Sequence, residues 1–345
     1  MARRLSVAAA LSVALAVQPF LGAHGIATAR TDRLPAVALQ SVTVGIGYVP
    51  NVQFAPFYTA DALGYYRRAG LTVHLSYGFS PNVMQLVAAG REQFALADGT
   101  DAIAAVTHGI PVTSIATLYR RLPVAVYNLR KYQIRTVRDL RGKTVGIPGR
   151  FGSSYDGLLA ALYLSNVKPS ELSIRTIGYT QNESLITGKV EAAVGYSNNE
   201  PVLLQRLGYP VRTIEIGTQT HLVGAGLVAG NRLIATNPAL VKRFVGATLR
   251  GLKETVDHPA HAFAISRRVP GLRTLSGRNV GDQYAVLLRS IAFWHDASTD
   301  THGLGYAVPA QWRTSADLLR KTGRIASTPS VSRVFTNRFI PGAGE

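Results

Sequence analysis

Hydrophobic and polar residues alternate along three short segments in the first third of the chain, at 41–48, 71–77 and 93–98. Alternation of this kind is typical of β-strands. Between the first two segments, Phe54 to Ala69 is predicted to be a helix, with Pro56 in its first turn and Gly70 as its stop. A second helix is predicted from Pro81 to Ala89, ending at Gly90. The succession of strand, helix and strand predicts an α/β fold with a parallel sheet covered by helices.

The same rhythm continues along the chain, with strands predicted at 112–119, 124–129, 143–148, 174–179 and 191–196. A helix is predicted from Ser153 to Leu164, because Ser153 and Ser154 are good N-caps, and a short one from Glu183 to Thr187. Beyond residue 230 the spacing becomes helical, which predicts helices at Pro238–Asp257, Gly281–His295 and Pro309–Thr322. The α/β body is therefore expected to end in a helical tail.

The N-terminus has the pattern of a secretory signal peptide. Arg3 and Arg4 precede an apolar run from Leu5 to Val17, and Ala27-Thr28-Ala29 is an A-x-A cleavage site. The run is too short to span a membrane comfortably. Residues 1–29 are therefore predicted to be removed near Ala29, and residues 31–40 to form a linker. The protein is expected to be exported, to the periplasm or the outer face of the cytoplasmic membrane.

Composition excludes several kinds of chemistry. The 345 residues include no Cys, which excludes disulfides, thiolate metal sites, cysteine nucleophiles and a lipid-modified cysteine. The net charge of +18 is spread along the chain. The one basic cluster has no aromatic interleaving beyond Tyr132, which favours a solvated face and argues against nucleic acid as a partner. Its members are Arg130, Lys131, Arg135, Arg138, Arg141 and Lys143.

The turn between the first strand and the first helix carries rings and amides where two glycines would suffice. Tyr48 and Phe54 offer ring faces, and Asn51 and Gln53 offer donors and acceptors. An aromatic heterocycle with polar edges needs this mixture, so we predict that the turn is one lip of a ligand cleft. The alternative is an ordinary Asn N-cap and a core Phe.

Similar side chains follow other predicted strands, where open α/β sheets bind ligands. The candidate ligand-binding residues at these positions are Tyr77, Asp98, Tyr119, Phe151, Gly152, Ser153, Ser154, Tyr155, Tyr196, Asn198, Asn199 and Glu200. The segments at 86–101 and 185–200 also form a faint repeat, in which Asp98 corresponds to Tyr196, although any αβ unit has a similar pattern. Glu200 is the first candidate to accept a hydrogen bond from a ligand N–H, with Asp98 or Asn51 as alternatives. There are two other interpretations: Glu200 is an ordinary carboxylate in the first turn of a helix, and residues 149–155 are a plain helix start.

Catalytic and metal-binding patterns do not assemble in this sequence. The segment from Gly152 to Asp156 misses the G-x-S-x-G elbow, and no Walker loop or G-x-G-x-x-G is present. His258 and His261 share a helical spacing, but no closed ligand set surrounds them. We therefore expect a binding protein rather than an enzyme, with no metal and no cofactor.

The segment "TVRDLRGKTVGIPGRFGSSYDG", at 136–157, resembles the start of the second lobe in type II periplasmic solute-binding proteins, the receptors of ABC importers. The segments at 47–73 and 194–202 are similar to the branch that includes thiamine-pyrimidine-precursor receptors and the bacterial riboflavin receptor. The resemblance covers roughly 41–319. Eukaryotic pyrimidine-synthesising relatives carry a cysteine cluster for iron, and this chain has none, which again argues for binding.

The resemblance implies two lobes, each a mixed, mostly parallel sheet flanked by helices, with a ligand cleft between them. Lobe I would comprise 30–125 and 222–345 and lobe II 126–221, with hinges near Leu122–Ala125 and His221–Ala225. The implied function is delivery of an aromatic heterocycle, first of all riboflavin, to the permease of an ABC importer, by a monomer. A thiamine pyrimidine precursor and a sulfonate or nitrate are the alternative ligands, the anion requiring Arg120 or Arg150. An exported enzyme on the same fold and an extracellular sensor are the alternative functions.

Overall fold

The computed structural model of this protein describes residues 38–78 and 82–342. The predicted signal peptide, most of the predicted linker and the first residue of the helix predicted at Pro81 lie outside these ranges. None of the helices in the described ranges combines the length and the hydropathy that a membrane crossing requires.

The strands form two five-stranded sheets, which follow the alternating segments of the sequence. In chain order the described strands are β1 (Gln40–Gly45), β2 (Leu71–Ser76), β3 (Phe94–Asp98), β4 (Val112–Thr117), β5 (Val124–Leu129), β6 (Thr144–Ile147), β7 (Ser173–Thr176), β8 (Ala192–Tyr196), β9 (Val211–Glu215) and β10 (Ala225–Gly230). The strand order is β2-β1-β3-β10-β4 in the first sheet and β7-β6-β8-β5-β9 in the second.

Each sheet is mixed, because one strand runs against its neighbours. In the first sheet β1 pairs in parallel with β2 and β3, whereas β10 is antiparallel to β3 and β4. In the second, β6 is parallel to β7 and β8, and β5 is antiparallel to β8 and β9. The predicted α/β fold with two lobes of mixed sheet is confirmed, and the purely parallel sheet that the local pattern suggested is corrected by these two strands.

Helices cover both sheets and make up the end of the chain. They are α1 (Ala55–Ala62), α2 (Tyr65–Arg68), α3 (Val83–Ala88), α4 (Gly99–Thr107), α5 (Gly152–Leu164), α6 (Gln181–Ile186), α7 (Glu200–Arg206), α8 (Ile216–Thr220), α9 (Asn231–Thr236), α10 (Pro238–Asp257), α11 (Pro259–Ser266), α12 (Arg278–Trp294), α13 (Ala297–His302), α14 (Pro309–Lys321) and α15 (Val331–Val334). The helical tail is confirmed, and α10 has its predicted bounds. The aromatic ring of Phe244 in α10 stacks on Phe94 of β3, with 3.9 Å between ring centroids, which packs this tail onto the first sheet.

Two predicted helices differ from the structure. The segment predicted as one helix from Phe54 to Ala69 is a 3₁₀ turn followed by α1 and α2, because Gly64 has a left-handed conformation (φ 70°) that ends one helix and begins the next. At the start of α5, Phe151 is the N-cap residue and makes no side-chain cap. Ser153 and Ser154 lie inside the first turn, so their predicted capping role is wrong.

The chain crosses between the two sheets at two adjacent segments. The backbone N–H of Leu122 donates to the carbonyl of Leu222, at 3.0 Å, just before β5 and β10 begin. A Cβ added to Gly217 would lie 1.8 Å from the carbonyl oxygen of Leu122, so only glycine fits beside this crossing. These contacts show that the two crossing segments pack tightly against each other. The hinge positions and lobe boundaries stay predictions.

Candidate functional site

A cavity of about 480 Å³ lies where β3 and β8, strands of the two different sheets, end. The carboxyl ends of these strands bring the side chains that follow them to one place, which is the physical basis of the strand-end prediction. Twelve of the predicted ligand-binding residues line this cavity: Tyr48, Gln53, Phe54, Asp98, Tyr119, Phe151, Gly152, Ser153, Ser154, Tyr196, Asn199 and Glu200.

Two predicted residues near the first turn lie outside the lining. The side chain of Asn51 accepts a hydrogen bond from the backbone N–H of Gln53, at 3.0 Å, as the N-cap alternative requires. The hydroxyl of Tyr77 donates to the hydroxyl of Tyr58, at 3.1 Å. Asn51 thus bonds to the lining residue Gln53, and the ring of Tyr77 lies 6.5 Å from that of the lining residue Phe54. Direct ligand contact by either side chain stays a prediction.

Tyr155 and Asn198 also lie outside the lining. The guanidinium groups of Arg150 and Arg324 lie 6.0 and 5.3 Å from the ring centroid of Tyr155. The amide of Asn198 donates to Gln53 Oε1 at 2.9 Å and to Ser290 Oγ at 2.8 Å. Asn198 therefore ties the turn after β8 to residues that flank the first sheet.

The base of the cavity is a chain of polar groups that joins the two sheets. Tyr196, at the end of β8, donates its hydroxyl proton to Asp98 Oδ2, at the end of β3, over 2.5 Å. The Ser153 hydroxyl lies 3.0 Å from the Tyr196 oxygen and donates to it, because the Tyr196 proton is already used. The second carboxylate oxygen of Asp98, Oδ1, is buried and has no hydrogen-bond partner among the described residues. A buried acceptor without a partner is costly, so it is a natural point of contact for a donor on a ligand.

Further carboxylates surround this base. Burial raises the pKa of Asp98, while the neighbouring hydroxyls of Ser153 and Tyr196 lower it. The pKa of Asp101, in the first turn of α4, is raised well above its ordinary value by burial and by the charges of Asp98 and Asp156. Arg324 lines the cavity and donates to the Asp156 carboxylate, which leaves this end of the cavity acidic.

Glu200 lines the cavity, but its carboxylate is used by its own turn. Oε2 accepts from the backbone N–H of Tyr196 at 2.8 Å, and Oε1 accepts from the Asn199 amide at 3.2 Å. Burial raises the pKa of Glu200. The side-chain oxygen of Asn199 is buried without a partner among the described residues, so the neighbour of Glu200 offers the free acceptor on this side.

Aromatic rings form a further wall of the cavity. Tyr48 meets Phe54 and Tyr179 edge to face, with ring centroids 6.5 and 5.1 Å apart. Burial raises the pKa of Tyr48, so its hydroxyl stays protonated and neutral. The ring of Tyr119 packs edge to face on Trp294, with centroids 5.7 Å apart. The wall thus has rings held in place by other rings, as a stacking surface requires.

Several lining residues were missed by the sequence interpretation. Tyr179 ends the segment 174–179, and its position after a strand is the same signal that identified Tyr77 and Tyr196. Arg324 follows α14, far along the chain, and no local pattern connects it with the cavity. Met84 and Ala104 belong to helices whose faces the sequence did not assign.

The arginines and histidines considered for anions and metals lie elsewhere. Arg120 bonds to the carbonyl of Tyr306 at 2.5 Å and to Ser298 Oγ at 2.6 Å, and it does not line the cavity. Arg150 donates to the carbonyl of Ile174, at 3.1 Å. His261 pairs with Glu254, and no group of three or more potential metal ligands occurs in residues 38–78 and 82–342.

Comparison with known proteins identifies relatives over most of the chain. The riboflavin-binding protein RibY of Chloroflexus aurantiacus is 38% identical over 310 residues, which is 88% of this chain and 87% of RibY. The 4-amino-5-hydroxymethyl-2-methylpyrimidine phosphate synthase of Legionella pneumophila is 25% identical, covering 87% of this chain and 92% of that protein. The formylaminopyrimidine-binding protein of Halalkalibacterium halodurans is 26% identical, covering 74% and 77%.

Solved structures share the fold at low identity. The ligand-binding component of an ABC-type import system from Staphylococcus aureus superposes with a TM-score of 0.68 at 14% identity, covering 88% of this chain and 99% of that one. The alkanesulfonate-binding protein SsuA from Xanthomonas axonopodis pv. citri gives 0.67 at 16% identity, covering 86% and 98%. The sequence profile of the NMT1/THI5-like family matches residues 51–262. The resemblance found in the sequence is thus confirmed: the chain belongs to the NMT1/THI5-like family and has the fold of type II periplasmic solute-binding proteins.

Proposed function

We propose that this protein is the exported receptor of an ABC importer and that its ligand is riboflavin. The observation that carries the proposal is the cavity at the ends of β3 and β8, which joins a wall of aromatic rings to two buried acceptors without partners, Asp98 Oδ1 and Asn199 Oδ1. The isoalloxazine ring has two flat faces and an edge that carries an N–H donor and carbonyl acceptors. Rings and unused acceptors are what this molecule requires of its site.

Asp98 is the residue that we assign to the N–H edge. Its Oδ2 is held by the Tyr196 hydroxyl, which fixes the plane of the carboxylate and leaves Oδ1 available. The hydroxyls of Tyr196 and Ser153 favour the ionised form of this buried carboxyl by lowering its pKa. A hydrogen bond from the ligand to an ionised carboxylate is stronger than one between neutral groups. Glu200 then serves to shape the turn that presents Asn199, because both of its oxygens are engaged.

The proposed mechanism is closure of two lobes on the ligand. Asp98 follows a strand of the first sheet, while Tyr196 and Asn199 follow a strand of the second. A ring bound between them contacts both lobes only when the lobes are closed, so the ligand favours the closed state by the free energy of the contacts that the open state lacks. A permease that recognises the closed form would then accept the loaded receptor.

The relatives support riboflavin first and a pyrimidine second. RibY, at 38% identity over most of both chains, is a riboflavin-binding protein. A relative at 26% identity is a formylaminopyrimidine-binding protein, and a smaller pyrimidine could use the same acceptors. A thiamine pyrimidine precursor is therefore the second candidate ligand.

An anionic ligand fits the cavity poorly. Arg324 is the one arginine or lysine that lines it among the described residues, and its charge is matched by Asp156. The carboxylates of Asp98 and Glu200 would repel a sulfonate or nitrate. Some relatives are named as synthases, so catalysis is the alternative to binding. We expect the ligand to be chemically unchanged after incubation with the protein.

Isothermal titration of the purified protein tests the proposal, with riboflavin, a thiamine pyrimidine precursor, taurine and nitrate as ligands. We expect one riboflavin per chain and a loss of flavin fluorescence, because stacked tyrosines quench it. Mass spectrometry of the released flavin should show the same molecule that was added. Binding of taurine or nitrate alone would contradict the aromatic cavity, and conversion of a pyrimidine ligand would favour the enzyme.

A further inference from the structure

The cavity has a second compartment, which continues from the polar base into the first lobe. Asp101, Ala104 and His108 lie three and four residues apart on and just beyond α4, so they share one face of that helix, and all three line the cavity. From Asp101 to His108 the helix rises by about 10 Å. This compartment, which we call the apolar arm, therefore extends well beyond what a single pyrimidine ring would fill.

Between Asp101 and His108 the side chains that line the apolar arm are mostly hydrocarbon, with Gln85 as the further polar one. Met84 from α3 and Leu96 from β3 line it together with Ala104 and Ala105 from α4. Met84 is 6% exposed and Ala105 5%, so the arm is enclosed by the core of the first lobe. Its outer end lies at Ile110 and the exposed side chain of His108. A polyol placed along these hydrocarbon side chains would lose its water and find hydrogen-bond partners only at Gln85, Asp101 and His108, whereas an apolar group is stabilised by the same burial.

We propose, resting on riboflavin as the ligand, that the apolar arm binds the dimethyl-substituted benzenoid end of the isoalloxazine. The N–H edge then lies at Asp98 and Asn199, and the polyol side chain points toward the mouth of the cleft rather than along α4. Ala104 becomes the residue that selects for a tricyclic ring, because its small side chain leaves the arm open. A ligand with one pyrimidine ring would occupy the polar base and leave the arm unfilled.

The test uses Ala104→Leu, which places a larger side chain in the arm on a helix that tolerates leucine well. Titration with riboflavin should show a loss of affinity of at least about tenfold, as expected when a well-packed site is overfilled. Ala264→Leu, on the exposed face of α11, is the matched control and should bind riboflavin as the wild type does. Circular dichroism and thermal unfolding establish that both variants are folded.

Two further flavins separate the possible occupants of the arm. Wild-type protein should bind an analogue without the two ring methyl groups roughly ten- to twentyfold more weakly than riboflavin, since each buried methyl contributes to affinity. A flavin without the polyol should be weakened by Ala104→Leu as strongly as riboflavin is. If Ala104→Leu weakened only the flavin with the polyol, the polyol would occupy the arm and the inference would be wrong.

Failure of the inference is distinguishable from failure of the proposed function. Wild-type protein that binds riboflavin while Ala104→Leu binds it equally well would overturn the apolar arm and leave the receptor intact. The same holds if wild type does not discriminate between flavins with and without ring methyl groups. Wild-type protein that binds no flavin at all would overturn both.

Discussion

Two carboxylates at strand ends face the same cavity and are used in different ways. Glu200 has both oxygens occupied by Tyr196 and Asn199 in its own turn. Asp98 has one oxygen held by Tyr196 and one without a partner. Only an unused acceptor gains a hydrogen bond when a ligand arrives. We therefore propose that Asp98, the alternative in the sequence analysis, and not its first candidate Glu200, accepts the hydrogen bond from the ligand N–H.

Asp98→Asn keeps the shape of the side chain and removes its charge. We expect it to weaken riboflavin binding by about 1.5–3 kcal/mol, the usual contribution of a hydrogen bond to a charged group. Glu200→Gln should weaken binding less, because its oxygens serve the turn. Isothermal titration of the two variants and of Asp317→Asn, an exposed control, measures the difference.

If Glu200→Gln weakened riboflavin binding more than Asp98→Asn, Glu200 would again be the first candidate to accept the hydrogen bond from the ligand. If Glu200→Gln lost the larger share of affinity while its unfolding curve matched that of the wild type, Glu200 would contact the ligand directly. Equal affinity in Asp98→Asn and wild type would show that the unpaired oxygen meets no donor.

The pH dependence of stability is expected to come partly from Asp101. Its pKa in the folded protein is raised well above 3.8, so the folded state holds a proton that the unfolded state has released. The free energy of unfolding therefore falls as the pH rises from about 4 toward the folded pKa. Asp101→Asn cannot release that proton. It should be more stable than the wild type at about pH 8, with a difference that shrinks toward about pH 4.

Urea unfolding of both proteins across this range is the measurement. Asp98 and Asp156 have pKa values raised in the same direction, so part of the dependence should remain in Asp101→Asn. A difference between the two proteins that is constant with pH would contradict the assignment to Asp101.

The sequence pattern predicts cavity residues well where they lie at the ends of strands. The pattern identifies Asp98 and Tyr196 because each ends a strand, and α/β sheets bind ligands at the carboxyl ends of their strands. For Asn51 the pattern allows both a ligand contact and an N-cap; the cap forms, and the ligand contact stays a prediction. Arg324 could not be predicted from the sequence as a lining residue, because it lies in a loop far along the chain from the other residues that line the cavity.

At the scale of elements, the break between α1 and α2 depends on one glycine. The apolar spacing continues through Gly64, which explains why one helix was predicted. Gly64 has φ 70°, a conformation that costs other residues roughly 1–2 kcal/mol. Gly64→Ala should lower the free energy of unfolding by about that amount, measured by urea denaturation.

Gly246 provides the matched control for Gly64. It lies inside α10, and an added Cβ would have no atom within 4 Å. Gly246→Ala should therefore raise the free energy of unfolding by about 0.5–1 kcal/mol through helix propensity. The same Gly→Ala substitution is thus expected to lower the free energy of unfolding at Gly64 and to raise it at Gly246. Equal effects would mean that the left-handed conformation at Gly64 is not what ends α1.

Element type was easier to predict from sequence than strand pairing. The α10 helix has its predicted bounds because Asn237 and Pro238 begin it with clear local signals, and Asn237 accepts the N–H of Leu240 as a cap. The insertion of β10 between β3 and β4 carries no such signal. Its alternation is the same whether its neighbours run parallel or antiparallel, so only the tertiary fold, or a resemblance to a known one, identifies the mixed sheet.

At the scale of the whole molecule, contacts between the lobes are made by side chains in the cavity lining and directly beside it. The Asn198 amide donates to Gln53 Oε1 and to Ser290 Oγ, and the side chain is fully buried. Tyr196 reaches Asp98 from the other lobe in the same way. In the proposed mechanism these bonds form only in the closed state, so they set how much of the free energy of closure the protein supplies and how much is left to the ligand.

Asn198→Ala should shift the molecule toward the open form without removing any residue that lines the cavity. We expect a weaker affinity for riboflavin, roughly five- to fiftyfold, because each lost neutral hydrogen bond contributes about 0.5–1.5 kcal/mol to the closed state. Small-angle scattering should show a larger radius of gyration for the free variant than for the free wild type. Saturating riboflavin should bring the two values together, since the ligand supplies the missing free energy of closure. A variant whose scattering equals that of the wild type with and without riboflavin would instead indicate a rigid site, in which Asn198 only packs.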